Sequence, residues 1–157
     1  MSIQGNNKRI IAITCDLWYN QDHKGKRRDN MSEILIYNLG SQKDAKLKML
    51  CRKMNIAARS IEKSEYGYTL GYLLGLSQDA SKKNGEDFDG EILYMAGLGG
   101  GMLSLFLDQL RRNKLVIPLK AVQTETNVGF TSYELYHELC AEREAFAKGT
   151  AYHQQKP

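Results

Sequence analysis

Two short apolar runs constrain the fold of this chain more than any other feature of its sequence. They are EILIY at Glu33–Tyr37 and EILYM at Glu91–Met95. Each run is continuous rather than alternating, which predicts a strand that is buried on both faces. A helical pattern follows each run, ends near basic residues and leads into a shorter strand pattern. These shared features indicate two diverged strand–helix–strand units.

Two such units predict an α+β domain of ferredoxin-like topology, with duplicated βαβ units, one inserted helix and a C-terminal helix. Right-handed crossovers would place both unit helices on one face of the sheet. The inserted helix, expected at Ser64–Leu76, and the C-terminal helix would cover the other face. When the two runs are aligned, Tyr37 and Tyr94 fall on opposite faces, which argues against an open sheet that stacks RNA bases.

The expected inserted helix carries Gly67, Gly71 and Gly75 at every fourth position, so the three glycines would share one helical face. Each glycine lowers helix stability by about 1 kcal/mol relative to alanine, so a close neighbour of this face is expected. A helix or strand is the simpler candidate, and a ligand or partner chain is the alternative. The polar segment that follows, residues 78–90, is predicted to be a mobile surface loop with Phe88 as its anchor.

The final strand is predicted at Val116–Val122, and Pro118 within it indicates an edge position because proline cannot donate to a strand ladder. Lys120 interrupts the apolar pattern, either as an edge lysine that opposes aggregation or as a cation held at the end of the sheet. The next helix has a strong start signal, since Thr131 and Glu134 form the pattern of a capping box. A polar turn at residues 123–127 joins these two elements.

The polar turn supplies the candidate ligand-binding site. Its candidate residues are Lys120, Thr124, Thr126 and Asn127, with Tyr66 and Thr69 as polar neighbours. Backbone N–H groups at the start of the following helix favour an anion there. The alternative is that the threonine and asparagine side chains satisfy local backbone groups, as they commonly do in turns. If they bind a ligand, alanine at Lys120 and Asn127 should abolish binding and leave folding nearly intact.

A glycine-rich turn between the second apolar run and its helix gives a second candidate. Gly99, Gly100 and Gly101 form a candidate anion-binding loop, because such turns can hold phosphate on backbone N–H groups. The stronger phosphate-binding and dinucleotide-binding motifs are absent from the sequence. The alternative is a plain glycine turn before an uncapped helix.

Composition limits the classes of function. The chain of 157 residues has a net charge of +4, of which residues 1–30 contribute +3, so the main body is near neutral and no nucleic-acid partner is predicted. No apolar run is long enough to span a bilayer, so no membrane partner is predicted. The three widely separated cysteines fit reduced cytoplasmic thiols better than disulfides or a zinc site. No metal, cofactor or catalytic residue is predicted.

The sequence divides into three parts. Residues 1–30 are expected to be a leader that is disordered or arises from a mis-assigned start, with Met31 as the true first residue. Residues 31–148 form the single α+β domain, and residues 149–157 are expected to be a flexible tail.

The chain from Glu91 to Phe146 resembles an uncharacterised bacterial family, the domain of unknown function DUF3783. The residues that carry the resemblance are Leu119 to Val122, then Thr124, Thr126 and Asn127, and then the capped helix from Thr131 to Leu139. The first apolar run and Tyr66 to Gly71 are similar to the region upstream of that domain. Because the family has no established activity, the resemblance implies no mechanism.

These observations predict a small cytoplasmic binding or regulatory module that engages a partner protein or a small anionic ligand. An enzyme that uses Lys120 as a nucleophile or electrostatic stabiliser is one alternative. A homo-oligomeric structural subunit that associates through the edge strand or the glycine face is another.

Overall fold

The computed structural model describes residues 32–155, with the side chains of residues 149–155 excepted. The predicted leader therefore lies outside the described residues. In chain order the elements are β1 (Glu33–Tyr37), α1 (Ser41–Lys53), β2 (Ala57–Ser60), a 3-10 turn (Lys63–Glu65), α2 (Leu70–Leu73), β3 (Ile92–Ala96), α3 (Gly100–Arg112), β4 (Leu119–Val122), a second 3-10 turn (Asn127–Gly129) and α4 (Ser132–Gln155).

The four strands form one mixed sheet in the order β2-β1-β3-β4. The two apolar runs pair antiparallel at its centre, with Glu33 opposite Ala96 and Tyr37 opposite Ile92. Two outer strands complete it, β2 parallel to β1 and β4 parallel to β3. The prediction of an α+β domain is therefore confirmed, and β4 has the edge position that Pro118 indicates.

The strand order differs from the ferredoxin-like prediction. In that topology each βαβ unit is split, because a strand of the other unit lies between its two strands. Here the two strands of each unit are direct neighbours, with Ile34 opposite Ala58 and Ile92 opposite Leu119. Apolar patterning indicates which strands are central. It does not show whether the two strands of one βαβ unit are adjacent or have a strand of the other unit between them.

Tyr37 and Tyr94 lie on the same face of the sheet, so the prediction that they lie on opposite faces is wrong. Leu35 pairs with Tyr94 in the antiparallel register, and residues that pair directly share a face. Both tyrosines belong to the same buried cluster. A strand that is apolar on both faces has no alternation, so the alignment of the two runs could not fix which side chains face the same way.

Both faces of the sheet are covered. The unit helices α1 and α3 pack on one face, as right-handed crossovers predict, and bury Leu47, Leu50, Leu103 and Phe106 there. The other face is covered by the first turns of α4 and by residues 66–73. The described sheet therefore has no open face on which RNA bases could stack.

An inserted helix is present but is much shorter than the predicted Ser64–Leu76, because only the four-residue α2 and a 3-10 turn form there. Its glycines serve separate purposes. A Cβ at Gly67 would collide with the carbonyl oxygen of Lys83, and a Cβ at Gly71 would lie 3.2 Å from the carbonyl oxygen of Val128. Gly75 has φ 79°, a left-handed conformation that ends the helix.

The segment from residue 78 to residue 90 has no regular secondary structure but is anchored to the domain. Phe88 is buried, as predicted, and its ring centroid lies 4.6 Å from Tyr66 and 4.3 Å from Tyr136. The side-chain amide of Asn38 donates to the carbonyl oxygens of Phe88 and Gly90. This packing fixes the segment across the start of α4.

The final helix, α4, continues to Gln155, into the segment predicted as a flexible tail. The side chains of that segment lie outside the described part of the structure. No helix within residues 32–155 is long and apolar enough to cross a bilayer.

Candidate functional site

The polar turn after β4 is closed by its own hydrogen bonds. The Oδ1 atom of Asn127 accepts from the hydroxyl of Tyr94 at 2.6 Å and from the backbone N–H of Thr124 at 2.8 Å. The Nδ2 atom of Asn127 donates to the carbonyl oxygen of Val122 at 3.0 Å, and its backbone N–H donates to Thr124 Oγ1 at 2.9 Å. Both Thr124 and Asn127 are buried. Their side chains therefore stabilise the turn, which was the alternative reading of this pattern.

Lys120 and Thr126 do not join this network. Because strand side chains alternate, Lys120 points to the side opposite to Leu119 and Ala121, which pack under α4. Its Nζ donates to the carbonyl oxygen of Ile117 at 2.9 Å. Lys120 and Thr126 are both exposed. The structure thus does not bring the predicted lysine to the buried amide of the turn.

Tyr66 and Thr69 hold the connecting segment, which is residues 61–91 between β2 and β3, against the rest of the domain. The buried hydroxyl of Tyr66 donates to Asn38 Oδ1 at 3.1 Å. Thr69 Oγ1 accepts from the backbone N–H of Tyr72 at 3.1 Å and so caps α2. Thr69 also forms an isolated antiparallel bridge with Thr131 at the start of α4. Both side chains therefore have partners within the fold.

The candidate anion-binding loop forms the start of α3. Gly99 is the N-cap residue, and its carbonyl oxygen accepts from the N–H of Leu103 at 2.7 Å. No side chain caps this helix, and Gly99, Gly100 and Gly101 are all exposed. The loop has the geometry of a glycine turn before an uncapped helix, the simpler of the two readings.

An open cleft of about 610 Å³ lies between β2 and the connecting segment, and we call it the arginine cleft. It is lined by Arg59, Glu65, Tyr68, Tyr72, Leu73, Gly75, Ser77 and Gln78. Arg59 Nη1 donates to Glu65 Oε1 at 3.0 Å, and Nη2 donates to the carbonyl oxygen of Leu73 at 2.8 Å. The carboxylate of Glu33 lies 3.9 Å from Arg59 Nε. These contacts hold the guanidinium along one wall of the cleft.

Two tyrosines form the other wall of the arginine cleft. The ring centroids of Tyr68 and Tyr72 are 4.7 Å apart, and both side chains are half-buried. The ammonium of Lys82 lies 5.1 Å from the ring centroid of Tyr68, within the range of a cation–π interaction. A fixed arginine beside paired tyrosines is the side-chain chemistry that dominates the energetics of protein interfaces.

Sequence reasoning did not find the arginine cleft. Tyr68 stands out in the sequence as a polar side chain of the expected inserted helix, but Arg59 and Tyr72 carry no motif. The cleft exists because the chain turns sharply after the short α2 and brings Leu73 back toward β2. The one available signal was the i, i+4 spacing of Tyr68 and Tyr72.

A second cavity, of about 470 Å³, lies on the other side of α2. It is lined by Gly67, Thr69, Gly71, Leu76, Ser77, Asp79, Ser81, Lys83, Val128 and Gly129. Hydrogen bonds from the hydroxyl and backbone N–H of Ser81 lower the pKa of Asp79. Lys83 Nζ lies 3.6 Å from a carboxylate oxygen of Glu134. The charged groups of this cavity are thus engaged with other groups of the chain.

Three buried titratable groups, Tyr37, Cys51 and Tyr66, have pKa values shifted toward their neutral forms. Burial raises the pKa of the Cys51 thiol to about 11. Burial also raises the pKa of Tyr37, against the opposing effect of its 2.8 Å hydrogen bond with Ser132, and it raises the pKa of Tyr66. These groups stay protonated at neutral pH, which suits packing rather than nucleophilic chemistry.

Residues 91–146 match the family model described as Domain of unknown function (DUF3783), which confirms the resemblance seen in the sequence. The match extends from β3 to the middle of α4. No curated protein and no solved structure matches the chain. The residues that line the arginine cleft all precede the matched segment, so the cleft belongs to the first βαβ unit and the connection after it.

Proposed function

We propose that this protein is a small cytoplasmic binding module that engages a partner protein through the arginine cleft, and that it is not an enzyme. The observation that carries the proposal is the fixed guanidinium of Arg59 beside the half-buried pair Tyr68 and Tyr72. Tyrosine and arginine residues held in a partly buried surface supply most of the binding free energy in many interfaces.

A partner protein suits the arginine cleft better than a small anion does. An anion would compete with the carboxylate of Glu65, which already accepts from Arg59 at 3.0 Å. Pockets for small ligands usually enclose most of the ligand surface, whereas this cleft is open along the edge of the sheet. A protein segment can instead lie across the tyrosine rings and leave the Arg59–Glu65 ion pair intact.

The two alternatives find less support. A lysine nucleophile usually lies in an enclosed site, but the side chain of Lys120 is exposed on the edge strand, where its Nζ donates to the carbonyl oxygen of Ile117. A homo-oligomer through the glycine face is disfavoured because Gly67 and Gly71 are already approached by Lys83 and Val128 of the same chain. Light scattering on the full chain distinguishes a monomer from an oligomer.

We also infer that the two βαβ units are diverged copies of one ancestral unit. Each unit pairs its two strands in parallel, and the units meet through the antiparallel pair of β1 and β3. Duplication makes β2 and β4 equivalent outer strands. On this inference, the outer strand of the first unit, β2, retains a binding role.

The experiment is a selection of short random peptides, displayed on phage, against the immobilised full chain. Affinities of the selected peptides are then measured by fluorescence polarisation for the wild type and for Tyr72→Ala. We expect the substitution to weaken binding by about tenfold or more, because it removes an aromatic anchor from the cleft.

The matched control is Tyr133→Ala, which removes a half-buried tyrosine that lies outside the cleft lining. It should leave peptide affinity unchanged. A selection that yields no peptide, or peptides whose binding is insensitive to Tyr72→Ala, overturns the proposed function.

A further inference from the structure

The outer edge of β2 presents backbone hydrogen-bonding groups to solvent. The N–H of Ala57 donates to the carbonyl oxygen of Ser32, and the N–H of Ile61 donates to that of Ile36. In a parallel ladder the N–H and C=O groups of alternate residues point to opposite sides. Ala58 and Ser60 therefore direct their N–H and C=O groups outward. No backbone hydrogen bond to these groups is formed by the residues that the structure describes.

The opposite edge of the sheet, at β4, is partly blocked. The N–H of Gln123 donates to the carbonyl oxygen of Met95, so residues 118, 120 and 122 point outward. At the first of these positions Pro118 has no N–H to offer. At the last, the outward carbonyl oxygen of Val122 is occupied by the side-chain amide of Asn127 at 3.0 Å. The polar turn thus blocks the end of the β4 edge, whereas no described residue forms a backbone hydrogen bond to Ala58 or Ser60 on the outer side of β2.

The open edge of β2 is continuous with the arginine cleft. Arg59 projects from β2 to the sheet face that is covered by α4 and the connecting segment, where it lines the cleft. A residue of an added strand that lies opposite Arg59 would share this face. Its side chain would therefore enter the cleft beside Tyr72. One extended segment can thus use the backbone of β2 and the tyrosine wall together.

The charges near β2 favour an acidic segment. Lys48, Arg59 and Lys63 form ion pairs with Asp44, Glu65 and Asp89. Three further cations are Arg52 and Lys53, in the last turn of α1, and Lys82, whose ammonium lies over the ring of Tyr68. Within the described part of the chain these three take part in no ion pair, and neither does the carboxylate of Glu62, which follows β2. Because Arg59 also lies 3.9 Å from the carboxylate of Glu33, the surroundings of the edge carry only a small surplus of positive charge.

We propose that the partner binds as an extended acidic segment that adds a fifth strand to the outer edge of β2 and places one aromatic or apolar side chain in the arginine cleft. This inference rests on the proposed function and specifies the occupant of the same site. Backbone pairing with Ala58 and Ser60 supplies general affinity, and the cleft supplies selectivity.

A second copy of the chain is a poorer occupant. A symmetric pairing of two β2 strands would involve only Ala57–Ser60 from each copy. Four residues a side bury much less than the roughly 1,200 Å² that stable interfaces need. Such a pairing would also bring two Arg59 side chains close together, which is unfavourable for like charges.

The first test is amide hydrogen exchange on the full chain, followed by nuclear magnetic resonance. In the free protein we expect fast exchange at Ala58 and Ser60 and protection at Ala57 and Ile61, whose N–H groups are bonded to β1. A saturating selected peptide should then protect Ala58 and Ser60. Protection of both in the free protein overturns the proposal, since another part of the chain or a second copy then covers the edge. If that protection increases with protein concentration, the edge is covered by a second copy of the chain.

The second test is Ala58→Pro, which removes an outward N–H without removing a bond of the β1–β2 ladder. Proline is tolerated at such edge positions, as Pro118 shows at the other edge. We expect a folded protein that binds the selected peptides about tenfold or more weakly. The matched variant Ala57→Pro removes the N–H that bonds Ser32 and should instead lower thermal stability.

The outcomes separate the two proposals. Peptides that are weakened by Tyr72→Ala but bind folded Ala58→Pro normally leave the proposed function intact and overturn strand addition. If Ala58→Pro does not fold, the amide exchange measurement tests independently whether the peptide adds a strand to β2. Selected peptides that carry no excess of Asp and Glu overturn the acidic character of the partner.

Discussion

The ring of Phe88 lies parallel to the ring of Tyr136, with centroids 4.3 Å apart and planes 3° from parallel. This contact attaches the irregular segment of residues 78–90 to α4. Because Phe88 is buried, we expect Phe88→Ala to lower the free energy of unfolding by about 3 kcal/mol. Urea denaturation measures the loss, and limited proteolysis should show faster cleavage within the segment. The exposed neighbour Glu86→Ala should change neither quantity.

Asn127→Ala should destabilise the protein strongly. The substitution leaves the Tyr94 hydroxyl, the Thr124 N–H and the Val122 carbonyl oxygen without their bonds to the Asn127 side chain. A buried polar group that loses its hydrogen-bond partner costs about 1–3 kcal/mol. We therefore expect the free energy of unfolding, measured by urea denaturation, to fall by about 3 kcal/mol. This reverses the expectation from the sequence that alanine at this position leaves folding nearly intact.

The exposed Thr126 provides the matched control for that experiment. Thr126→Ala lies in the same turn, but the Thr126 hydroxyl caps no described helix, so stability should stay within about 0.5 kcal/mol of the wild type. Wild-type stability of Asn127→Ala would mean that the turn does not depend on its amide.

Alanine substitutions at two glycines should change stability in opposite directions. Gly67→Ala is expected to destabilise by about 1–3 kcal/mol, because its Cβ would meet the backbone of Lys83, which cannot move aside as a side chain could. Gly101→Ala is expected to stabilise by up to about 1 kcal/mol, because the position is helical and open. Thermal and urea denaturation of both variants check the signs. Equal changes in stability for Gly67→Ala and Gly101→Ala would contradict the close approach of the Lys83 backbone to Gly67.

Stability should fall in alkaline solution partly because of Cys51. The pKa of this thiol is about 11 in the folded protein against 9.0 for an unperturbed cysteine, so the unfolded chain holds fewer protons between these values. The contribution is present in full below pH 9 and is lost as pH rises toward 11. Its upper limit is about 3 kcal/mol.

The check is urea denaturation from pH 8 to pH 11 on the wild type and on Cys51→Ala. The variant has a smaller buried side chain and starts less stable, but its stability should decline less steeply over this range. The titration of Tyr37 and the other tyrosines is common to both proteins. Equal slopes would show that Cys51 is not held protonated by the fold.

The sequence predicted those parts of the fold that arise from long apolar runs and local capping. The central pair of β1 and β3, the edge position of β4 and the capping box of Thr131 and Glu134 are all present. The predicted length of the inserted helix was wrong because glycine spacing alone does not distinguish a helical face from separate close approaches and a turn. The register of the two apolar runs was ambiguous because neither run has a polar face.

The candidate site was less predictable than the fold. Thr124 and Asn127 were recognised as polar side chains of a turn, but only the tertiary pairing shows that the amide reaches an outward carbonyl of β4. Arg59, Tyr68 and Tyr72 meet because of a sharp return of the chain, which no local pattern encodes. A surface formed where the chain turns back on itself cannot be predicted from residue spacing in the sequence.

The partly blocked edge of β4 has a consequence for assembly. A sheet with two open edges can be extended from both ends, and repeated addition leads to fibres. Here Pro118 has no N–H to donate, and the carbonyl oxygen of Val122 is occupied by the amide of Asn127, so two outward positions of β4 are poorly suited to an added strand. Repeated addition at the β4 side of this sheet is therefore disfavoured.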